Sequence, residues 1–220
     1  MYFAALPVSP GGAMAMWANV EDHDQAIKHS LGRARRLLRL LASAFDPRTY
    51  LHAIKLLNYY NYSHVSPMRK VNFAGARNVS PNAVFDNAER IDIGHRPRIG
   101  ARCCLWAGPR SGRIIIGDDV LMGPGVMITA ASYQYDAGSP VTDQPMREAD
   151  IVIGHDVWLG AGSVILPGTT LGSGSIVAAN AVVRGEFPPM SIIAGSPARI
   201  VKKRIVSAQG QPEASNTDLN

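Results

Sequence analysis

Residues 153–183, IGHDVWLGAGSVILPGTTLGSGSIVAANAVV, carry an aliphatic side chain at every sixth position: Ile153, Leu159, Ile165, Leu171, Val177 and Val183. The same period runs through two earlier stretches, as Ile93, Ile99, Leu105 and as Ile116, Met122, Ile128. Glycine follows the repeated residue at 94, 100, 117, 123, 154, 160 and 172. The fifth position of most hexads is small or β-branched, as at Cys103, Val120, Val126, Ser132, Val157, Ser163, Thr169, Ser175 and Ala181. A period of six fits neither a helix nor an alternating strand, whose repeats are about 3.6 and about 2. It fits a coil of three short strands joined by tight bends, with one side chain per strand pointing into a narrow triangular core. Glycine is then expected to let the backbone turn each corner.

Three hexads make 3 × 6 = 18 residues per coil, and the chain divides on that count into 93–110, 116–133, 153–170 and 171–188. Five residues, Ser111–Ile115, separate the first two coils, and 19 residues, Gln134–Val152, separate the next two. Upstream, Phe73, Val79, Phe85 and Ile91 keep the spacing with a two-residue slip before Ile93, which predicts a degenerate first coil and five coils in all. At a strand spacing of about 4.8 Å the prism would stand roughly 24 Å tall. Such coils admit interruption only at bends, so the 19-residue excursion, rich in polar and turn-forming residues, is expected to be a functional loop.

The chain has 220 residues, of which 46% are hydrophobic and 18% charged, enough apolar material for a core, so wholesale disorder is excluded. Gly (21) and Pro (15) against 7% aromatics favour many tight turns over a helical bundle. No apolar run approaches the roughly 20 residues of a membrane helix. The opening MYFAALPVSPGGAMAMW lacks the basic start of a secretion signal, so a cytoplasmic location is expected. Cys103 and Cys104 are adjacent and read as idle thiols of a reducing compartment. A net charge of +5 suits nucleic acid, an anionic membrane or a phosphorylated ligand alike. The arginine run lacks aromatic stacking platforms, so nucleic acid is not expected.

Residues 21–70 are expected to form a helical cap after a loose segment 1–20. Asp22 or Asp24 would start a helix carrying Ile27, Leu31, Leu37, Leu38 and Leu41 beside Arg33, Arg35, Arg36 and Arg39; Pro47 breaks it, and Tyr50–Asn61 resumes. A basic amphipathic helix could lie peripherally on a membrane, but an open solenoid end demands a cover, and the cap is the preferred reading. After the prism (71–190), residues 191–206 are read as a strap and a short C-terminal helix with Ser196 as N-cap and Pro197 at its first position. A loose polar tail, 207–220, ends the chain.

The hexads, the block 153–183 and the trailing IIAGSPARIVKK resemble the hexapeptide-repeat acyltransferases, over about residues 73–204. The likeness is greatest to the branch of sugar O-acetyltransferases acting on galactosides, maltose, nodulation factors and surface polysaccharides. The resemblance implies an all-β solenoid, a left-handed parallel β-helix. It further implies a homotrimer with acetyl-CoA sites between neighbouring prisms, and a sugar hydroxyl attacking the thioester with help from a histidine base at the loop's entrance. Function would then be acetyl transfer to a sugar in surface polysaccharide or lipopolysaccharide biosynthesis. Alternatives are acetylation of serine or another small molecule, and an inactive trimeric scaffold.

Where the family carries that histidine, this chain has Tyr133, within Ser132-Tyr133-Gln134-Tyr135-Asp136. A tyrosine with an ordinary pKa of about 10 is a poor base at neutral pH. Three accounts stay open: Tyr133 donates to the thioester oxygen, His155 is the base, or Asp136 is. For the cofactor, the resemblance carries over Arg199 and Lys202 as phosphate contacts, Arg184 at the final bend, Trp158 beside the arm and thioester, and Ala161 and Ala179 at small bends meeting pantetheine. No metal is expected, since a zinc site of the β-helical carbonic anhydrase type needs three imidazoles and the coils hold only His95 and His155.

Overall fold

The computed structural model describes residues 32–205, which divide into two units at Ala53/Ile54. In the first unit, helix α1 spans Arg33–Phe45. Helix α2, Pro47–Tyr60, begins there and ends in the second. Asp46 separates the two. Its carboxylate accepts the Arg48 backbone N–H at 2.9 Å, and Pro47 takes the first helical position, where no N–H is required. The helix therefore resumes at Pro47 itself rather than near Tyr50. Every residue from 35 to 62 is exposed. The proposed starts Asp22 and Asp24, and the tail 207–220, lie outside the described residues.

In the second unit, three parallel sheets form the sides of a prism. The first side stacks Asn72–Phe73, Ile91–Ile93, Ile114–Ile116, Ile151–Ile153, Thr170–Leu171 and Glu186–Phe187. The second stacks Asn78–Val79, Arg98–Ile99, Leu121–Met122, Trp158–Leu159, Ile176–Val177 and Ser191–Gly195. The third stacks Val84–Asp86, Cys104–Trp106, Met127–Thr129, Val164–Ile165 and Val182–Val183. Registers superpose the periodic residues, as in Ile93–Ile116–Ile153–Leu171, Ile99–Met122–Leu159–Val177 and Leu105–Ile128–Ile165–Val183. All twelve are at most 3% exposed. Each such burial stabilises by roughly 1.5–3 kcal/mol, so these three columns are the core.

Phe73, Val79 and Phe85 found the columns as the degenerate first coil, and the slip before Ile93 is a single 3-10 turn, Ala88–Arg90. Beyond the expected five coils, Phe187 and Ile193 begin a sixth. Phe187 follows Val183 by 187 − 183 = 4 residues, which hid it from the six-residue period. At the first coil, residues 61–69 continue α2 as irregular helical turns, burying Ser63 and Pro67. His64 Nδ1–H donates to the Ala83 carbonyl at 2.7 Å, with its ring 6.2 Å from that of Phe85.

The corners differ from the expectation. Left-handed φ occurs three residues after the periodic position, at Arg96, Arg102, Asp119, Gly125, Asp156, Gly162, Gly168, Gly174 and Asn180. The glycine directly after that position serves close approach instead. A Cβ on Gly160 would lie 2.5 Å from Ala179 N and 2.8 Å from Val177 O of the next coil.

The expected C-terminal helix is not formed. Ala198–Lys203 is a strand, antiparallel to Ser191–Gly195, and the two are joined through a cis Ser196–Pro197 peptide. The last strand of the second side would otherwise leave a row of backbone donors and acceptors unpaired, and the returning strand pairs them. Ser196 and Pro197 therefore make the turn, not a helix start.

Candidate functional site

Both interruptions of the coils leave from one edge, between the third and first sides. There the third residue after the periodic position, Gly108 after Leu105 and Ala131 after Ile128, does not adopt the left-handed bend. The chain runs outward instead. The first excursion closes on itself through Gly108 N–H to Gly112 O at 2.7 Å. The second is an antiparallel ribbon, Ala131–Tyr133 against Met146–Glu148, with Ala131 opposite Glu148 and Tyr133 opposite Met146. It starts earlier than residue 134, since Ser132, counted with the small fifth-position residues of the hexads, is already exposed on the ribbon. At the tip, the buried Gln144 amide donates to Ser139 O at 2.7 Å and accepts from Ala137 N–H at 3.2 Å.

Glu148 ties the two excursions together. Its side chain is 4% exposed. It accepts backbone N–H groups of Ser111 (2.6 Å), Gly112 (2.8 Å) and Arg110 (3.2 Å), and the Ser111 hydroxyl at 3.1 Å. The N–H donors of Gly112 and Ser111, foremost, hold its carboxyl down at about 2 against an ordinary 4.5. Sequence reasoning missed Glu148. The only signal was a five-residue insertion with a glycine, Gly112, and no visible partner for its backbone.

Between the ribbon and the edge lies a cavity of about 150 Å³. Tyr133, Tyr135, Asp136 and Arg147 enter it from the ribbon side, and Pro167 and Arg184 from the coils. Tyr133 is 46% exposed. Among the described residues, its hydroxyl has no hydrogen-bond partner and Asp136, Arg147 and Arg184 are in no ion pair. Three sequence candidates, Tyr133, Asp136 and Arg184, thus meet in one cleft.

The other six do not. His155 sits at the edge between the first and second sides, where its Nδ1 accepts the Asp118 backbone N–H at 3.0 Å, with Asp118 Oδ2 3.4 Å away. His155 therefore stands at a different edge of the prism from the cleft lined by Tyr133, Asp136 and Arg184. Trp158 is on the second side, half exposed, beside Leu121 and Ile176. Ala161 and Ala179 stack at the edge between the second and third sides, linked by Asn180 N–H to Ala161 O at 2.9 Å. Arg199 and Lys202 lie exposed on the final strand, opposite Ala194 and Ile192. Arg204, a member of the same basic cluster, is engaged. Its Nη1 donates to Asp156 Oδ2 at 2.7 Å and to Gly174 O at 3.0 Å. Among the described residues, no three His, Cys, Asp or Glu side chains are grouped to hold a metal ion.

Two sequence families match: the bacterial transferase hexapeptide (six repeats) over residues 150–185, and the hexapeptide repeat of succinyl-transferase over residues 90–130. An Escherichia coli protein named for O-acetyl transfer in lipopolysaccharide biosynthesis is 42% identical over 98 residues, 41% of this chain and 50% of that protein. The chain thus spans half the length of this relative. A protein of Lysinibacillus sphaericus named as a macrolide acetyltransferase is 34% identical over 132 residues, covering 57% of this chain and 71% of the relative. Among solved structures, a maltose O-acetyltransferase of Clostridium difficile has a TM-score of 0.58 and 26% identity, covering 70% of this chain and 86% of that one. A hexapeptide-repeat acetyltransferase of Vibrio cholerae, solved with acetyl coenzyme A, has a TM-score of 0.57 and 30% identity, covering 65% and 76%.

The prism is therefore a left-handed parallel β-helix of hexapeptide repeats. The chain belongs to the hexapeptide-repeat acyltransferase family.

Proposed function

We propose that this protein is an acetyl-CoA-dependent O-acetyltransferase that acetylates a sugar hydroxyl in surface polysaccharide or lipopolysaccharide assembly. The observation that carries the reading is the cleft at the interrupted edge, where Tyr133, Asp136 and Arg184 converge without other partners among the described residues. The relatives support it: one is named for O-acetyl transfer in lipopolysaccharide biosynthesis, another for maltose, and one is solved with acetyl coenzyme A.

In the reaction, the acceptor hydroxyl oxygen bonds to the thioester carbonyl carbon, the carbon–sulfur bond breaks, and coenzyme A leaves as the thiol once the hydroxyl proton is returned to it. Tyr133 donates a hydrogen bond to the carbonyl oxygen as negative charge gathers there. Asp136 is the one carboxylate among the described residues lining the cleft, and it accepts the hydroxyl proton. Arg199 and Lys202, exposed at the end of the second side, suit the phosphates of coenzyme A, and Trp158 and the backbone at Ala161 and Ala179 suit its arm. These groups are spread around the prism, which fits a site completed by a second copy in a homotrimer. The exposed Leu121 and Trp158 give the second side an apolar surface for that contact.

The test is titration of coenzyme A into the full chain, followed by thiol release from acetyl-CoA with galactoside, maltoside and oligosaccharide acceptors. Binding and acceptor-dependent thiol release are expected. Absence of coenzyme A binding at millimolar concentration rejects the reading, and binding without turnover by any acceptor favours a scaffold.

A further inference from the structure

Helix α1 carries a pattern that the acyl-transfer reading does not use. At 3.6 residues per turn, Leu37, Leu38, Leu41 and Phe45 fall within one arc of about 100°, and Arg35, Arg36 and Arg39 within the opposite one. The apolar side chains are 50–84% exposed: Leu37 58%, Leu38 65%, Leu41 50% and Phe45 84%. No aspartate or glutamate occurs from residue 25 to residue 45, a span that holds Lys28, Arg33, Arg35, Arg36 and Arg39. Among the described residues, Arg35, Arg36 and Arg39 have no ion-pair partner, and α1 has no acidic residue in its first turn. Arginines so close to the helix start oppose its dipole, which is the wrong arrangement for a helix stabilised on its own in water.

We propose that α1 lies on the surface of an anionic phospholipid bilayer, with Leu37, Leu38, Leu41 and Phe45 at the acyl boundary and the arginines among the headgroup phosphates. Two features of the helix select this occupant. Its apolar stripe ends in a bulky aromatic and is too short to span a bilayer, since 13 residues extend about 20 Å. Its charge is of one sign, which lipid phosphates complement and which a second copy of the same helix would repel. Guanidinium groups bind phosphate oxygens in bidentate fashion while their alkyl stems stay against the apolar layer. Each basic side chain near such a surface is worth about a fivefold change in partitioning, so three together are worth on the order of a hundredfold.

The experiment uses the full chain in vesicle flotation, comparing phosphatidylcholine alone with phosphatidylcholine plus phosphatidylglycerol. The protein is expected to float with the anionic vesicles only, and to be released at about 1 M salt, where the Debye length falls to about 3 Å. Replacing Arg35, Arg36 and Arg39 with serine should weaken binding on the order of a hundredfold. Leu41→Asp should abolish it, with the circular dichroism of the prism and the sedimentation coefficient without vesicles unchanged. Three results overturn the proposal. They are equal partition onto neutral and anionic vesicles, no partition onto either, or a change of oligomeric state in Leu41→Asp without lipid. The last outcome would show that the apolar stripe is buried against protein.

Discussion

Gly160→Ala tests why glycine follows the periodic residue. The added Cβ would meet Ala179 N at 2.5 Å, Ala178 C at 2.7 Å and Val177 O at 2.8 Å, all backbone of the next coil. Relief requires that coil to move away by about 1 Å, toward ordinary contact distance, at a strand spacing of about 4.8 Å. The Gly160 N–H bond to Val177 O, 2.8 Å long, lies in the path of that movement. Overpacking costs about 1–3 kcal/mol, and weakening the hydrogen bond adds about 0.5–1.5 kcal/mol. The lost freedom of the unfolded chain offsets about 0.4–1 kcal/mol. The net expectation is a destabilisation of about 1–3 kcal/mol, read as a lowering of Tm by roughly 2–4 °C per kcal/mol for a chain of this size. The control is Gly168, whose φ is +79° and whose added Cβ would meet only Ala149 Cβ at 3.7 Å. Asn87 and Asn180 already adopt left-handed φ in this fold. Gly168→Asn should therefore cost only the strain of a left-handed asparagine, about 1 kcal/mol, with no clash against a neighbouring coil. Gly160→Asn should destabilise at least as much as Gly160→Ala. Circular dichroism during thermal and urea unfolding measures all three. If Gly160→Asn and Gly168→Asn prove equal, inter-coil clearance is not what glycine provides at position 160.

The remaining predictions concern the cleft and the core. Glu148 has a lowered pKa, so its contribution to stability is present above pH 4.5 and is lost as pH falls through about 2. Glu148→Gln should flatten the acid limb of the stability profile over that window, as urea midpoints against pH would record. Tyr133→Phe should lower kcat roughly 10²-fold with little change in KM if the phenol acts only as charge develops, as an oxyanion donor does. Steady-state thiol release distinguishes this from a binding role. Ile128→Ala opens a cavity in the third column and should cost about 2–5 kcal/mol in urea unfolding. Ser163 Oγ is buried and, among the described residues, has no hydrogen-bond partner. Ser163→Ala should be neutral or stabilising by up to about 1 kcal/mol, because it removes an unsatisfied group, and a clear loss in thermal unfolding would contradict this.

The columns could be read from the sequence because each periodic residue meets others of its kind at a fixed separation. Ile153 needs only to be aliphatic and six residues from Leu159 for its neighbours to be inferred. Non-periodic features escaped. Phe187 escaped because it follows Val183 by four residues rather than six, with Gly185, at φ +104°, in the bend between them. The return strand Ala198–Lys203 was hidden because Ser-Pro suits a helix start as well as a turn, and only the unpaired edge beside it decides between them. For the site, the ribbon's length singled it out, and Tyr133, Asp136 and Arg184 lie in one cleft with it. Glu148 was invisible because a carboxylate that binds backbone N–H groups 36 to 38 residues away leaves no local pattern. His155 has the right chemistry for a base in isolation, and only the fold shows that it stands at another edge of the prism from the cleft.

Both detours emerge where a corner residue has been released from its left-handed bend, and both re-enter without disturbing the registers above and below. The prism thus behaves as a mount, and the ribbon as a detachable head. Doubling the length of such a head adds only about 0.6 kcal/mol of closure entropy. Residues 138–143 could accordingly be exchanged for a longer or shorter tip, leaving Tyr133 and Asp136 in the cleft, while the three aliphatic columns remain as they are.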